Sequence, residues 1–321
     1  MTHRARRVFL CATILFFILA TPSVLLYAWG YTFDWESKKL VLTGGIYLKS
    51  IPKKAKVELD NKITKETPVF IKRLLPKYYQ IKVSKQGFHS WQKKLKIESK
   101  LVTEVKNILL IPLNPEIEVI NENIPINFSL KEFLSQKESN DIFYIQIPSY
   151  ILYKTDKNNS FQEQISLTPL PQNQTYEIFA SKDKRIAVLS NTNQLYLLNP
   201  ETKIFELISQ DVKGVRFSDN NKKMLYFTDS EIWIHFLQDK DSKEMITRIS
   251  QKIKQAIWYG VTNEHIIFTT DKEMKIIELD NRNEKNTVDI LKSNIQEIAY
   301  NNEDESIYFI KEKELLKMSL K

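Results

Sequence analysis

Phe217-Ser218-Asp219-Asn220-Asn221-Lys222-Lys223-Met224-Leu225-Tyr226-Phe227-Thr228-Asp229-Ser230-Glu231-Ile232-Trp233-Ile234-His235-Phe236-Leu237 reads as a polar turn, an apolar strand, a second short turn and a second strand. The unit recurs along the C-terminal half of the chain. Apolar cores stand at 142–145, 186–189, 225–228, 266–269 and 307–310, spaced by about 40 residues. Each is followed by a second strand-like run, at 150–153, 194–198, 231–236, 274–279 and 314–318, and a turn rich in Asp, Asn, Glu and Lys precedes the last four. A period near 40 with β cores between polar turns is the pattern of four-stranded propeller blades. Five cores predict about five blades over 138–321. A strand near Val119 is a candidate for a sixth, and closure of the ring is left open.

Upstream, the pattern changes twice. Arg4, Arg6 and Arg7 precede an uncharged run over 8–30, VFLCATILFFILATPSVLLYAWG. Such a run, at about 1.5 Å per helical residue, crosses a hydrocarbon core of about 30 Å. Pro22 is tolerated inside such a helix when neighbours satisfy the freed backbone. Tyr27, Trp29, Tyr31, Phe33 and Trp35 crowd the far end as an interfacial aromatic belt would, and the three arginines favour residues 1–7 on the cytoplasmic side. The expected topology is therefore a single-pass anchor in the cytoplasmic membrane with the C-terminal domains outside. A cleavable signal peptide is the rival, but its apolar stretch is usually about 7–15 residues. Here a second apolar run, 24–29, follows Ala20-Thr21-Pro22-Ser23, which argues for retention. Cys11 lies too early for a lipoprotein attachment site.

Residues 31–43 form a juxtamembrane segment, and 44–112 alternate apolar and polar positions: Val57 and Leu59, Ile81 and Val83, Leu95 and Ile97. This period of two predicts half-buried strands, with Pro52, Asp60-Asn61, Pro76 and Gly87 marking turns. Residues 113–137, broken by Pro115 and Pro125, read as a linker holding one short strand. The fold class expected is all-β: an N-terminal transmembrane helix, a small antiparallel β-sandwich, then a propeller.

Ser50, Pro52, Ala55, Val57 and Asp60, then Thr67-Pro68, Leu75-Pro76, Tyr79, Ile81, Val83, Gly87-Phe88 and Trp91, resemble in order the PEGA domain, a bacterial envelope β-module. Lys53-Lys54 replace the Glu-Gly of the family motif, and Lys77 stands where a turn glycine is usual. The resemblance implies a surface or periplasmic module and no chemistry. Most motif residues are explained as fold determinants: Pro68 and Pro76 set φ at strand entries, Gly87 is a permissive backbone position, and Ala55 and Val57 fill the core. The exposed candidates for ligand contact are Lys53, Lys54, Lys77, Tyr78, His89 and Trp91, aromatics beside lysines that suit a sugar or a phosphate-rich polymer. A solvated strand face is the plainer account of the same residues. Residues 217–237 are similar to a blade of Tol-type or WD-like propellers, where an aromatic-Ser-Pro-Asp-Gly-Lys turn precedes the second strand. This copy lacks the proline and the glycine.

Catalytic and metal chemistry find no constellation in the sequence. The histidines, at 3, 89, 235 and 265, have no ligand spacing, and no Gly-x-Ser-x-Gly elbow or Cys pair is present. Acidic runs at 239–241 and 303–305 lack the glycine and spacing of a calcium loop. No cofactor and no nucleic acid is implied. The single cysteine, Cys11, leaves the exported part without an intramolecular disulfide. The net charge of +8 is explained either by an anionic partner or by an AT-rich coding bias toward Lys, Asn and Ile. Two functions of different class follow: a non-enzymatic envelope module that binds or scaffolds a protein, a glycan or an anionic wall polymer, or a sensory and regulatory subunit of a membrane complex. An enzyme would require acidic or histidine side chains gathered in a propeller channel.

Overall fold

The computed structural model describes residues 3–125, 128–134, 141–238 and 242–320. The propeller boundary expected near residue 138 and the acidic run 239–241 lie outside these residues. The chain divides into two compact units, one built on residues 1–111 and one on 112–280 and 285–320.

In the first unit, helix α1 (His3–Ala28) runs through Pro22 without interruption. It is long and apolar enough to cross a membrane, and none of its apolar window is buried. The Thr13 and Thr21 hydroxyls donate to the Phe9 and Phe17 carbonyls at 2.8 and 2.7 Å, so both polar groups are satisfied within the helix. A two-stranded hairpin follows, β1 (Tyr31–Asp34) and β2 (Lys39–Leu42). The sandwich is built from β3 (Gly44–Ile51), β4 (Lys56–Leu59), β5 (Lys62–Glu66), β6 (Val69–Leu74), β7 (Tyr78–Ser84), β8 (Trp91–Lys96) and β9 (Val102–Leu109). One sheet is ordered β6-β3-β9 and the other β5-β4-β7-β8. Every pair is antiparallel except β3 and β9, which run parallel, so the chain crosses between sheets to complete the first one. Ile46, Leu48, Val57, Ile81, Val83, Leu95, Ile97 and Ile108 close the core between the sheets. The β4–β5 hairpin turns on Asp60 and Asn61, both at positive φ (47° and 63°), the geometry of a two-residue turn matching strand twist.

In the second unit, five sheets follow one another among the described residues. Three have four strands each: Tyr176–Ala180 with Ile186–Ser190, Leu195–Leu198 and Phe205–Ser209; Gly214–Phe217 with Lys223–Phe227, Glu231–Phe236 and Lys243–Arg248; and Gln255–Trp258 with His265–Thr269, Met274–Glu278 and Thr287–Leu291. The first sheet, Asp141–Gln146, Ile151–Asp156 and Glu163–Gln164, has three strands. The last joins Glu297–Asn301, Ser306–Lys311 and Glu314–Met318 to β10 (Ile117–Asn121), which pairs antiparallel with Glu314–Met318. The strand near Val119 is therefore the outer strand of the fifth blade and not the start of a sixth, and the segment expected as a linker is in part propeller. The cause is the open edge that Glu314–Met318 would otherwise present. β10 has all five residues exposed, so it is held by ladder hydrogen bonds more than by its side chains. A short helix, α2 (Leu130–Leu134), packs on the inner strand of that blade, burying Leu130 beside Tyr308, Ile310 and Leu315.

Candidate functional site

The sequence-level candidates divide among three places in the sandwich. Lys53 and Lys54 stand exposed in the β3–β4 turn, and His89 is half-buried in the β7–β8 loop, where its N–H donates to the Ile111 carbonyl at 2.8 Å. These form one end of the module. Lys85, which the sequence reading passed over, joins them: its Nζ donates to the Lys53 carbonyl at 2.9 Å. Lys77 and Tyr78 lie at the opposite end, where β7 begins, with the Lys94 ammonium 5.7 Å from the Tyr78 ring centre and Lys77 5.2 Å from that of Tyr79.

Trp91 belongs to neither end. Strand β8 buries Trp91, Lys93 and Leu95 and exposes Gln92, Lys94 and Lys96, which places Trp91 in the core at 3% exposure. The expectation of an exposed aromatic contact is corrected: truncating Trp91 would remove core packing worth about 3–5 kcal/mol. Lys93, 1% exposed, shares this inward face, with its ammonium 5.9 Å from the Trp91 ring.

The family motif has a structural explanation in a buried network. The Ser50 and Thr67 hydroxyls meet at 2.5 Å, Ser50 Oγ reaches the Pro52 carbonyl at 2.7 Å, and the Ala55 N–H donates to Thr67 Oγ1 at 3.1 Å. The Lys54 N–H donates to the Thr67 carbonyl at 2.8 Å, and this turn holds Lys54 at φ 58°, a left-handed conformation that favours glycine. Lys77, by contrast, adopts an ordinary turn.

The interfacial set is arranged around the end of α1. Tyr27, Trp29 and Trp35 are exposed, Trp35 at 83%, and Tyr31 is half-buried in β1. Phe33 meets Trp35 edge to face at 4.8 Å. Arg4, Arg6 and Arg7 are all exposed at the other end of the helix.

In the propeller, the polar turns that mark the repeat meet one another. Asp219 accepts from Lys182 Nζ at 3.1 Å and Asn302 Nδ2 at 2.9 Å, and its N–H donates to Asn263 Oδ1 at 3.0 Å. One aspartate thus joins four successive sheets. Further links run between neighbouring blades, Trp258 Nε1 to the Arg216 carbonyl (3.1 Å) and Lys223 Nζ to Glu264 (2.6 Å). On the inner strands stand Glu177, Arg216 and Glu297. Lys131 of α2 lies 3.7 Å from Glu177, and the Leu130 N–H reaches Glu297 at 3.3 Å. Arg216 keeps contact with solvent but is surrounded by protein, and this burial lowers its guanidinium pKa against the opposing pull of Glu177 and Glu297.

Among the described residues no group of three His, Cys, Asp or Glu is arranged to hold a metal. His265 is 5% exposed, with Nδ1 2.9 Å from Thr262 Oγ1. Asp304, in the acidic run 303–305, accepts from the Tyr308 hydroxyl at 2.7 Å and Lys317 at 3.1 Å.

Strand order, alternation and motif network together decide the identity of the first β-module. Residues 43–109 match the PEGA domain. The match spans the whole sandwich, from β3 to β9. A curated relative, the serine/threonine-protein kinase ppk27 of Schizosaccharomyces pombe, is 28% identical over 169 residues, 52% of this chain. The chain spans 39% of that protein's length. Solved structures with similarity include the β-propeller domain of Cps50 (Swd1) from Myceliophteria thermophila, at 8% identity and TM-score 0.37 over 44% of this chain and 50% of that one. YCF48 bound to D1 peptide aligns at 10% identity and TM-score 0.40, over 87% and 95%. The propeller assignment rests on the sheets themselves.

Proposed function

We propose that this chain is a non-enzymatic, membrane-tethered envelope protein in which a PEGA domain and a five-bladed propeller serve as binding and scaffolding modules for a protein, a glycan or an anionic wall polymer. The observation that carries the reading is α1: an apolar helix exposed on all sides, joined through an aromatic hairpin to a β-module. A helix of this composition has no core to bury in within its own unit, so a bilayer is the environment that satisfies it. The three arginines before it favour an inside N-terminus and outside domains.

The absence of enzymatic chemistry is part of the proposal. Of the inner-strand charges, Glu177 and Glu297 are engaged by α2, and Arg216 donates to the Val215 carbonyl at 2.9 Å, which supports a structural role. The test is protease protection in intact cells, spheroplasts and detergent extracts, with retention of the chain in carbonate-washed membranes. Digestion of both β-modules from outside, with a membrane-retained fragment, is the expected result. Full protection, or release by carbonate, would overturn it.

A second reading, a sensory or regulatory subunit, draws on a contact between sandwich and helix: Arg73 of β6 reaches Tyr27 at the end of α1. Such a contact would carry a displacement of the sandwich to the helix. Crosslinking that captures one discrete membrane protein through α1 would favour it over scaffolding.

A further inference from the structure

The charge of the chain is not spread evenly. Residues 43–109 hold sixteen Lys and Arg against five Asp and Glu, a net of +11, whereas residues 113–321 hold 26 against 32, a net of −6. The same coding bias toward Lys, Asn and Ile acts on both halves, so composition alone does not account for the sandwich. Five carboxylates cannot neutralise sixteen cations whatever their geometry, and eleven positive charges remain in excess within the domain.

From this we infer that the PEGA domain is the ligand-binding module of the chain, and that its ligand is a flexible linear polyanion engaged at the Lys53, Lys54 and Lys85 end. This deepens the scaffolding reading and rests on the outside placement proposed there. Three features select this end. It is remote from the bilayer: β3 begins beside α1, where the Gly30 carbonyl accepts from the Thr43 N–H, and carries eight residues away from it. At about 3.3 Å per residue that is roughly 26 Å, some three Debye lengths at physiological salt, so lipid headgroups cannot supply the counter-charge. It is also rigid. The Lys54 backbone is fixed by Thr67 and the Lys53 carbonyl by Lys85, so the turn that carries the cations needs no ordering on binding. Finally, the positive surface continues from it along the outer face of the second sheet, through Lys56 to Lys94, whose ammonium lies 5.7 Å from the Tyr78 ring toward the opposite end. A chain of regularly spaced negative groups fits such a track better than a compact anion does.

The test uses the full chain in zwitterionic phosphatidylcholine nanodiscs and fluorescein-labelled inorganic polyphosphate, read by anisotropy across a salt series. Polygalacturonate is a second arm, separating phosphate from carboxylate recognition. Binding should weaken with log salt at a slope of about −0.7 per contact, as for single-stranded polyanions. Replacing Lys53, Lys54 and Lys85 together by Gln should weaken binding roughly tenfold and reduce that slope by about 2. The matching Arg triple should keep it, which separates lost charge from lost folding. Gln at Lys203, Lys213 and Lys222 of the propeller should change nothing. Equal losses in both Gln triples, or none in either, would overturn the proposal. So would polyanion affinity that vanishes when the nanodisc is made anionic with phosphatidylglycerol, or self-association at low salt that accounts for the whole anisotropy change. Failure of membrane retention would count against the tether alone, since the binding assay reads the sandwich in any orientation.

Discussion

The guanidinium of Arg73 lies 3.4 Å from the centre of the Tyr27 ring and donates from Nη1 to the Tyr27 carbonyl at 3.1 Å. Tyr27 is in the last turn of α1, which contains no basic residue of its own. The final carbonyls of a helix have no intrahelical donor and carry partial negative charge, so Arg73 serves as a C-terminal cap supplied from a strand of the sandwich. Arg73→Met removes both the stacking and the cap, worth about 1 kcal/mol together at a site this exposed. Limited proteolysis in detergent should then cut faster within 27–43, while the propeller fragment keeps its wild-type pattern. Arg73→Lys should behave as an intermediate, because an ammonium cannot stack as a plane.

Lys54 and Gly87 occupy the same backbone region with opposite suitability. Lys54 has φ 58° and Gly87 has φ 82°. Lys54→Gly should raise the stability of the sandwich, by about 0.5–1 kcal/mol once the added freedom of the unfolded chain is subtracted from the relief of strain. Gly87→Val should lower it by roughly 1–2 kcal/mol. A Cβ at 87 would meet nothing within 4 Å, so the whole cost is conformational, and Gly87→Asn should recover most of it. Calorimetry on the full chain, following the sandwich transition, checks both signs.

Val119 pairs with Leu316 across the seam of the fifth blade. Val119→Pro removes a backbone N–H and locks φ in a strand whose side chains contribute little burial. Hydrogen exchange should accelerate at Leu315, Leu316 and Lys317 and leave the β3–β9 amides of the sandwich unchanged. Equal acceleration in both units would show that they unfold as one.

Glu231 reports on acid stability. The Trp233 indole N–H donates to its Oε2 at 2.8 Å, and Arg248 Nε donates to Oε1 at 2.7 Å. These bonds, Trp233's first, hold its carboxyl below the usual glutamate range. A depressed folded-state pKa contributes stability that is complete above the unfolded value, about 4.3, and is lost as pH falls through the lower folded value. The Trp233 emission should therefore hold steady to a pH below 4.3 and change only beneath it. Glu231→Gln should abolish that acid transition and leave neutral-pH emission close to wild type.

The two sequence periods, two in the sandwich and about 40 in the propeller, are legible because each is imposed by burial. Leu225 and Tyr226 sit at 0% and 1% exposure in the second strand of their blade, and the equivalent apolar quartet recurs wherever a blade needs its middle filled. The long helix α1 is legible for a different reason, its unbroken apolar run, none of which is buried. What escaped the sequence is what burial does not write. β10 is exposed along its length and recognised only by the edge it completes. The inward phase of Trp91 is masked by Lys93, a charged residue at an inward position that makes Trp91-Gln92-Lys93-Lys94 look like a polar strand end. The left-handed role of Lys54 is hidden because its side chain argues for a surface turn and its backbone for glycine. Lys85 was missed because it acts through the Lys53 main chain, which no residue pattern records.

The seam between β10 and Glu314–Met318 also bears on how the molecule is made. Its two strands are separated by roughly 200 residues, a long loop to close before the pairing returns any energy. The helix and the PEGA domain can be complete while the propeller still waits for its final strand. During that interval β10 is a bare, mostly apolar edge. A chain cut short before Glu314 would keep that edge unpaired indefinitely, a ready mark by which a protease could tell a finished molecule from an unfinished one.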